Sequence, residues 1–569
     1  MPQTISQYLI ESLHKYNVHH VFGVPGDFVL RFYKDLEDSS LTLVNTVDEL
    51  GAGFAADAYA RLRGMGAVCV TYGVGGFKVT NSTAQAFAEK SPVVIISGAP
   101  GVAEQRNNPM LHHKSKRFES QRIVFDELTV ATAVLNDRHT AFDEIDRVLH
   151  ACFQLKGPVY IELPRDMGEK FGSSHHLARD YRAYPDPKTV EEGLEEAYRM
   201  IRAAKHPVII AGVEIHRYDL QGIFLHFVEK TKIPVATTLM SKSVISDLHP
   251  LALGLYAGKA CREELRAYVE SSDCILMLGA FLSDLDSGIF TDNLSHCPCI
   301  VATGDKVIVK HHIYPDFPLE MFLTGLNDRA FFLSSVAKMP EIFYPKKTDF
   351  DADARLTIQS IIPILNDSLT DNTAVIADVG DALFSAMDLR VHGQTLFLAP
   401  SYYASLGFAI PASVGVQMAN PTLRPLIVMG DGSLQMSAVE LSTVVRYGGN
   451  PIIILLNNRG YGTERPMIDG DFNDVHNWVY TDLPKVFGSG KAVLATTCRE
   501  LESALIEASL YTDSFFLIEC TICRDDYSPT LRRLTEALAK RICSDKISEN
   551  DLGGLSGGAG GGGILFADN

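Results

Sequence analysis

The stretch Pro425-Leu-Ile-Val-Met-Gly-Asp-Gly-Ser433 decides the fold of this 569-residue chain. Its apolar half predicts a buried strand, and the apolar spacing that follows Ser433 predicts a helix. Glycines at a strand-to-helix turn let a phosphate group approach the backbone, where the first N–H groups of the helix are free. Asp431 would repel that phosphate unless a cation lay between them. The stretch therefore predicts an α/β fold that holds a phosphate and a metal ion.

A pair of asparagines, Asn457-Asn458, follows the next predicted strand along the chain. Because adjacent parallel strands end at the same edge of a sheet, Asp431 and Asn458 are expected to meet there, where such sheets bind ligands. A carboxylate, an amide oxygen and a backbone carbonyl, which we assign to Gly460, suit Mg2+ that also holds phosphate oxygens. Either motif alone would be an ordinary turn or strand end. Their order and spacing predict a metal site.

The whole chain is organised as three α/β blocks, each expected to be a domain with a mainly parallel sheet flanked by helices. We expect domains at residues 1–178, 189–343 and 354–543, followed by a flexible glycine-rich tail at 544–569. Helical spacing of apolar residues is clearest at 51–61. The predicted strands are 41–45, 67–72, 92–97, 158–163, 207–212, 233–238, 274–279, 299–303, 373–377, 395–398, 425–429, 451–456 and 515–519.

Composition limits the partners and the compartment. The formal net charge is -18, which argues against a nucleic-acid or anionic-membrane surface, since both need clustered Lys and Arg. No apolar run approaches the roughly 20 residues of a membrane span, and residues 1–15 do not resemble a signal peptide. The ten cysteines do not form a disulfide framework, and the close pairs Cys297/Cys299 and Cys520/Cys523 are expected to be buried thiols. We expect a cytoplasmic protein.

Two further stretches in the first block carry a family resemblance: Val21-Phe-Gly-Val-Pro-Gly-Asp27 and Asp48-Glu-Leu-Gly-Ala-Gly-Phe-Ala-Ala-Asp-Ala-Tyr-Ala-Arg61. Together with the Gly-Asp-Gly and Asn-Asn motifs, they resemble the thiamine-diphosphate (ThDP)-dependent 2-oxo acid decarboxylases over about residues 1–540. The resemblance implies ThDP and Mg2+ as cofactors. It also implies non-oxidative decarboxylation of a 2-oxo acid to an aldehyde and CO2, through a ThDP ylid and an enamine.

The resemblance also implies catalytic roles for five residues. Glu49 stands where the family's glutamate hydrogen-bonds N1′ of the aminopyrimidine and so helps to form the ylid. His112-His113 matches the decarboxylases' histidine pair, and Glu464 matches a further acid, which we expect on a short helix. With Asp27, these groups are expected to surround the reactive carbon, bind the substrate carboxylate and protonate the enamine.

Alignment with the family supplies the remaining site residues. The expected cofactor contacts are Gly380, Asp381, Ala404, Leu406, Gly430, Gly432 and Ser433. The expected substrate pocket consists of Val379, Leu383, Phe384, Thr463, Met467, Leu534 and Leu538. Leu534 and Leu538 would leave more room than aromatic side chains, which favours branched-chain or aromatic substrates over pyruvate, although both leucines equally fit an ordinary core. The chain departs from the family pattern at Ala404, usually glycine, and at Gly76, often an acid.

The family places the two halves of each site on different subunits, so a homodimer or homotetramer is expected. Alternatives stay open at this point. A ThDP-dependent carboligase or synthase, or a flavin-containing 2-oxo acid oxidase, would share the magnesium motif, although the pair at His112 argues against both. A nicotinamide-dependent enzyme would need a Gly-x-Gly-x-x-Gly turn after a strand. A non-catalytic relative would be expected to lack the acids at Asp27, Glu49, Asp431 and Glu464.

Overall fold

The computed structural model describes residues 3–173, 176, 185–330 and 337–536. In the first part lie the strands β1 (His20–Gly23), β2 (Thr42–Asn45), β3 (Gly66–Val70), β4 (Val93–Ala99), β5 (Ala131–Val134) and β6 (Val159–Pro164). The helices there are α1 (Ile5–Lys15), α2 (Leu30–Glu37), α3 (Glu49–Arg63), α4 (Thr80–Ala88), α5 (Ser120–Asp126) and α6 (Ala141–Leu155). The strands pair in parallel in the order β2-β1-β3-β4-β6-β5. The prediction lacks β1 and β5, whose sequences, His-Val-Phe-Gly and Ala-Thr-Ala-Val, contain few large apolar residues.

A second sheet follows, with β7 (Pro207–Ala211), β8 (Val235–Thr237), β9 (Ala252–Leu255), β10 (Cys274–Leu278), β11 (Cys299–Ala302), β12 (Lys306–Val309) and β13 (His312–Pro315). Its helices are α7 (Pro187–Ala203), α8 (Glu214–Arg217), α9 (Gln221–Thr231), α10 (Glu263–Glu270) and α11 (Leu319–Asn327). The order is β13-β12-β11-β10-β7-β8-β9, parallel except for the pairs that involve β12. The prediction lacks β9 and the β12–β13 hairpin, since β13 is largely exposed.

The third sheet contains β14 (Thr373–Ala377), β15 (Leu396–Leu398), β16 (Arg424–Gly430), β17 (Ile452–Asn457), β18 (Lys491–Ala495) and β19 (Phe516–Thr521). Its helices are α12 (Ile358–Ser368), α13 (Asp381–Ala386), α14 (Ala409–Ala419), α15 (Asp431–Ser437), α16 (Leu441–Arg446), α17 (Leu483–Phe487) and α18 (Cys498–Leu510). Five strands were predicted; β18 was not, because most of its residues are only partly buried. Cys520 is buried, but the prediction of a buried Cys523 is wrong: β19 ends at Thr521, and Cys523 is exposed.

The first and third sheets have the same topology. The third has the order β15-β14-β16-β17-β19-β18, all parallel, which repeats the order of the first sheet strand for strand. The predicted α/β class with three mainly parallel sheets is confirmed. Within residues 3–173, 176, 185–330 and 337–536, no helix is long and apolar enough to cross a membrane.

Helices α3 and α14 join the first and third domains of the chain. Gly415 of α14 is needed there, because a Cβ at this position would lie 2.1 Å from the carbonyl oxygen of Ala55. At the end of α3, the buried Arg61 pairs with Asp57 and Glu89, each at 2.8 Å. Arg61 also donates to the carbonyl of Ala399. The start of segment 399–406, which carries two predicted cofactor residues, is therefore fixed by a charged network that is fully desolvated.

Candidate active site

A cavity of about 280 Å3 opens at the carboxyl edge of the third sheet. The segments that follow β14, β15, β16 and β17 form most of its wall, and this is the edge where parallel α/β sheets bind ligands. Every predicted cofactor and metal residue lines this cavity: Gly380, Asp381, Ala404, Leu406, Gly430, Asp431, Gly432, Ser433, Asn458 and Gly460. One site in the fold thus gathers residues from four separate segments of the sequence.

The predicted metal ligands have the chemistry that a divalent cation requires. β16 runs directly into α15, so Asp431 is the first residue of a helix. Its Oδ1 accepts the N–H of Gly432 at 2.9 Å, whereas its Oδ2 is buried and meets no hydrogen-bond partner. Burial raises the pKa of Asp431 to about 6. An unpartnered buried carboxylate oxygen in the same cavity as the amide of Asn458 fits Mg2+, which prefers such oxygen ligands.

The two asparagines at the end of β17 have different environments. Asn457 donates to Glu519 at 2.7 Å and to Asn477 at 2.9 Å, inside the domain. Asn458 lines the cavity and is nearly buried. Its Nδ2 would lie 2.5 Å from a Cβ at Gly462, so that neighbouring glycine leaves room for the amide. Of the pair, only Asn458 lines the cavity that Asp431 also lines.

The backbone around the cavity shows why particular residue types are required. A Cβ at Gly432 would lie 2.6 Å from the ring of Tyr461, and Gly380 has a φ of +100°, which favours glycine. Ala404 has a φ of +58°, in the left-handed region that is unfavourable for a residue with a side chain. That geometry explains why the family usually has glycine at this position. In this protein Ala404, a residue with a side chain, adopts the backbone conformation that glycine adopts more easily.

Asp381 holds the C-terminal segment against the cavity. Its Oδ2 accepts the N–H of Ser528 at 2.7 Å, while its Oδ1 is buried without a partner. Burial raises the pKa of this carboxyl to about 6. A second buried carboxylate with one free oxygen therefore faces the region assigned to the cofactor.

The predicted substrate pocket is only partly brought together within one chain. Val379 and Thr463 line the cavity. Leu383 and Leu534 belong to the hydrophobic core, Phe384 packs against that core, and the side chain of Met467 is exposed. Leu538 lies outside the described residues. The part that these five residues play in substrate binding stays a prediction.

The cavity also has apolar walls that the sequence-based prediction omits. Ile522 follows β19 at the same carboxyl edge, and the strand-end rule that located Asn458 would have found it. Leu456 lies at the end of β17 and could have been found in the same way. Ile358 comes from the start of α12, and no local motif marks it as a site residue.

Glu464 lines the cavity, but its local structure differs from the prediction. Residues 462–467 form consecutive turns, so the predicted short helix is wrong. Gly460 and Gly462 disfavour a helix through their backbone freedom, and Pro466 restricts Arg465 and lacks an N–H. The exposed side chain of Glu464 extends from this turn at the mouth of the cavity.

The remaining catalytic candidates lie at the carboxyl edge of the first sheet. Asp27 follows β1, Glu49 follows β2, and His112 and His113 follow β4. Asp27 Oδ2 is 2.6 Å from His112 Nε2, and its other oxygen is 3.9 Å from His113 Nδ1. Burial alone would raise the pKa of Asp27, but the hydrogen bond and charge of His112, with the charge of His113, lower it overall. The three groups form one cluster of ionisable side chains, which is a common feature of functional sites.

His113 is held by contacts that the sequence does not indicate. Its backbone has a φ of +64°, and a Cβ at Gly73 would lie 2.2 Å from its carbonyl oxygen. The N–H of Gly73 donates to Gln121 Oε1 at 2.7 Å. Gln121 is fully buried, and its amide donates to Ser97 and Tyr160. The sequence around Gln121 contains no motif that would indicate this supporting role.

The two groups of residues form separate half-sites in a single chain. None of Asp27, Glu49, His112 and His113, all of which are described, lines the cavity of the third sheet. The half-sites lie at corresponding edges of two sheets with the same topology. The first sheet has an acid at the start of a helix, and the third has a turn that suits a phosphate and a metal ion. Two parallel-sheet domains with these features are characteristic of the enzymes that bind ThDP between such domains.

Comparison with known proteins agrees with that class. Family models described as the N-terminal TPP binding domain, the central domain and the C-terminal TPP binding domain of thiamine pyrophosphate enzymes match residues 3–122, 194–319 and 378–520. Thiamine pyrophosphate is another name for ThDP.

Relatives with assigned activities match almost the entire chain. The indole-3-pyruvate decarboxylase of Azospirillum brasilense is 36% identical over 94% of this chain and 98% of its own length. The alpha-keto-acid decarboxylase of Mycobacterium tuberculosis is 32% identical over 94% and 97%, and the pyruvate decarboxylase of Aspergillus fumigatus is 29% identical over 95% and 98%. The chain belongs to the thiamine pyrophosphate enzyme family, in its ThDP-dependent 2-oxo acid decarboxylase group.

Proposed function

We propose that the protein converts a 2-oxo acid larger than pyruvate to an aldehyde and CO2 without oxidation. The observation that carries this proposal is the cluster of Asp27, His112 and His113, because aldehyde formation requires a proton donor beside the reacting carbon. The names of the relatives, which include indole-3-pyruvate and alpha-keto-acid decarboxylases, support the reaction and the larger substrate.

The residues of the cavity would hold ThDP and Mg2+. Asp431, Asn458 and the carbonyl of Gly460 are the proposed metal ligands. The turn at Gly430, Gly432 and Ser433 would hold the diphosphate, with Gly380, Asp381, Ala404 and Leu406 along the rest of the cofactor. Bound ThDP supplies a carbon nucleophile and accepts the electrons that remain when CO2 leaves.

The catalytic side chains then have distinct tasks. Glu49 holds a proton at N1′ of the aminopyrimidine. Asp27, His112, His113 and Glu464 bind the substrate carboxylate and donate the proton that the reacting carbon takes up once CO2 has left. The apolar walls at Ile358, Leu456 and Ile522 exclude water and leave space for a bulky apolar substituent, which supports a branched-chain or aromatic 2-oxo acid.

A homodimer or homotetramer would complete each site from two chains. The separation of the half-sites supports this assembly, as do four half-exposed apolar side chains near them: Val47, Val74, Met436 and Val439. We retain domain boundaries at 1–178, 189–343 and 354–543. A cytoplasmic location is supported by the cysteines, because the nine that fall within the described ranges are all free.

A coupled aldehyde assay over a panel of 2-oxo acids tests the function. With ThDP and Mg2+ added to cofactor-depleted protein, we expect aldehyde from branched-chain and aromatic substrates at a higher kcat/KM than from pyruvate. Without either cofactor, activity should be lost. A best kcat/KM with pyruvate would contradict the substrate size. Acetolactate formation, or flavin absorption with oxygen uptake, would instead support the synthase or oxidase alternative.

The substitution Glu464→Gln is expected to lower kcat for aldehyde formation by about 100-fold, the lower range of general acid–base effects. The amide keeps the size of the side chain but cannot release a proton. Glu507→Gln removes an exposed carboxylate on α18, away from the cavity, and is the matched control. Unchanged aldehyde production by Glu464→Gln would contradict its proposed role.

A further inference from the structure

The loop at residues 73–78 follows β3 and carries a cation into the N-terminal half-site. Lys78 Nζ lies 2.8 Å from Glu49 Oε2 and also contacts the carboxylate of Asp48. Both acids stand at the start of α3, where Asp48 is the N-cap and accepts the N–H of Leu50 through Oδ1. Lys78 therefore contacts two carboxylates: that of Asp48, which caps α3, and that of Glu49, which takes part in the proposed reaction.

We propose that Lys78 is a positioning residue for Glu49: it fixes the glutamate in the direction that meets the aminopyrimidine ring of ThDP. This inference rests on the proposed function, in which Glu49 holds a proton at that ring. Nothing in the sequence motifs of the site assigns a role to Lys78.

The geometry around Glu49 supports a directing role. The Glu49 side chain is 13% exposed, so few solvent molecules can orient its carboxylate. Lys78 holds Oε2, while Oε1 lies beside Gly75, where a Cβ would be only 3.3 Å away. The absence of a side chain at Gly75 gives that oxygen space. One oxygen is anchored, and the other stays available to a ligand.

Asp48 makes the arrangement independent of the state of Glu49. Hydrogen bonds from Lys78 to Asp48 and Glu49 raise the pKa of the ammonium group, so it stays charged across the neutral range. Because Asp48 also contacts Lys78, the ammonium group keeps its place when the charge of Glu49 changes on proton exchange. A lysine with a single carboxylate partner would lose its position at that moment.

The opposing interpretation is an ordinary surface ion pair, since half of the Lys78 side chain is exposed. Such pairs contribute little to stability. Lys34 provides the matched comparison: it also contacts two carboxylates, Glu37 and Asp38, but on the solvent face of α2. A positioning role predicts that replacing Lys78 weakens ThDP binding and that replacing Lys34 does not. Two ordinary surface ion pairs would predict no such difference.

The experiment compares Lys78→Met, Lys78→Arg and Lys34→Met in the full chain. We would measure the Kd of ThDP by titration calorimetry in Mg2+, the kcat and KM for the best 2-oxo acid, and the thermal unfolding midpoint. Lys78→Met should raise the Kd and lower kcat, each roughly tenfold, as expected for loss of a charge-assisted hydrogen bond. KM should change less than about twofold, because Lys78 does not contact the substrate. Lys78→Arg should stay within about threefold of the parent protein.

Three results would overturn the proposal: Lys78→Met behaving like Lys34→Met, Lys78→Arg failing as completely as Lys78→Met, or a rise in KM alone. If Lys78→Met proves unstable, Lys78→Gln keeps hydrogen bonding without charge and is judged by the same values. The calorimetric measurement of ThDP binding does not require the protein to be catalytically active. A parent protein that binds ThDP but forms no aldehyde would therefore refute the proposed function and still test Lys78.

Discussion

Glu49→Gln is expected to lower kcat for aldehyde formation about 1000-fold, within the range of general acid–base catalysis. The amide has nearly the same shape and still reaches the aminopyrimidine, but it cannot take up and release a proton there. The affinity for ThDP should fall far less, because most of the proposed cofactor contacts line the cavity of the third sheet. Steady-state kinetics and calorimetry on the same preparation separate the two effects.

The control for this substitution is Glu37→Gln on α2, where the side chain is two-thirds exposed. It removes the same charge from the same domain but lies outside the half-site, so kcat should not change. A loss of less than about tenfold in Glu49→Gln would show that proton exchange at this position does not limit turnover. A loss of ThDP binding as large as the loss of kcat would assign Glu49 to cofactor affinity instead.

The sequence could locate the cavity of the third sheet because key residues there directly follow buried parallel strands, whereas the residues of the first sheet were found from family motifs. Asp431 and Asn458 are examples: each follows a clear apolar run, and neighbouring parallel strands end at one edge. The short strands β1 and β5 were missed for the converse reason, since pairing with neighbours, and not local composition, makes them strands. Their absence from the prediction did not disturb the site, because Asp27 was found from its motif.

Contacts between distant segments could not be predicted. Gln121 accepts the N–H of Gly73, 48 residues earlier in the sequence, and so supports the backbone against which His113 packs. Ile358 reaches the cavity from a helix that carries no motif. The helix predicted at Glu464 failed because alignment with a family suggests an element type but does not weigh the local effect of Gly462 and Pro466. Substrate size depends on such contacts, so the strand-end rules could not determine it.

The repeated topology explains why the catalytic machinery is divided. In each of the two sheets, the functional segments follow the first four strands in chain order, from β1 to β4 and from β14 to β17. One copy carries the cluster of Asp27, His112 and His113, and the other carries groups that suit a metal and a phosphate.

Asp431→Asn is expected to have two opposite effects. Cofactor binding should weaken by at least about 100-fold, more than the loss typical of residues that only support a metal ligand. The amide cannot balance the charge of Mg2+, and the diphosphate then lacks its cation. Calorimetry with ThDP and Mg2+ measures this loss. Asp353→Asn, at an exposed surface carboxylate, is the control and should bind normally.

Without metal, the same substitution should stabilise the protein above pH 6. Burial raises the folded-state pKa of Asp431 from 3.8 to about 6, so between these values the folded state binds more protons than the unfolded state. Stability therefore falls as the pH rises through that window, and the full penalty applies above it. This difference in pKa corresponds to about 3 kcal/mol in the free energy of unfolding. Relaxation around the carboxylate reduces the expected gain in stability to about 1–3 kcal/mol.

Asparagine carries no such penalty, so the pH dependence between 4 and 6 should be shallower in the metal-free variant than in the parent. Denaturant unfolding at pH 5 and pH 8, with and without Mg2+ and ThDP, measures how the free energy of unfolding depends on pH. It also shows whether the substitution raises or lowers that free energy. A variant that is less stable than the parent at pH 8 without metal would contradict the prediction. The buried oxygen of Asp431 would then be satisfied by the protein itself, and the case for a cation at this position would lose its main physical support.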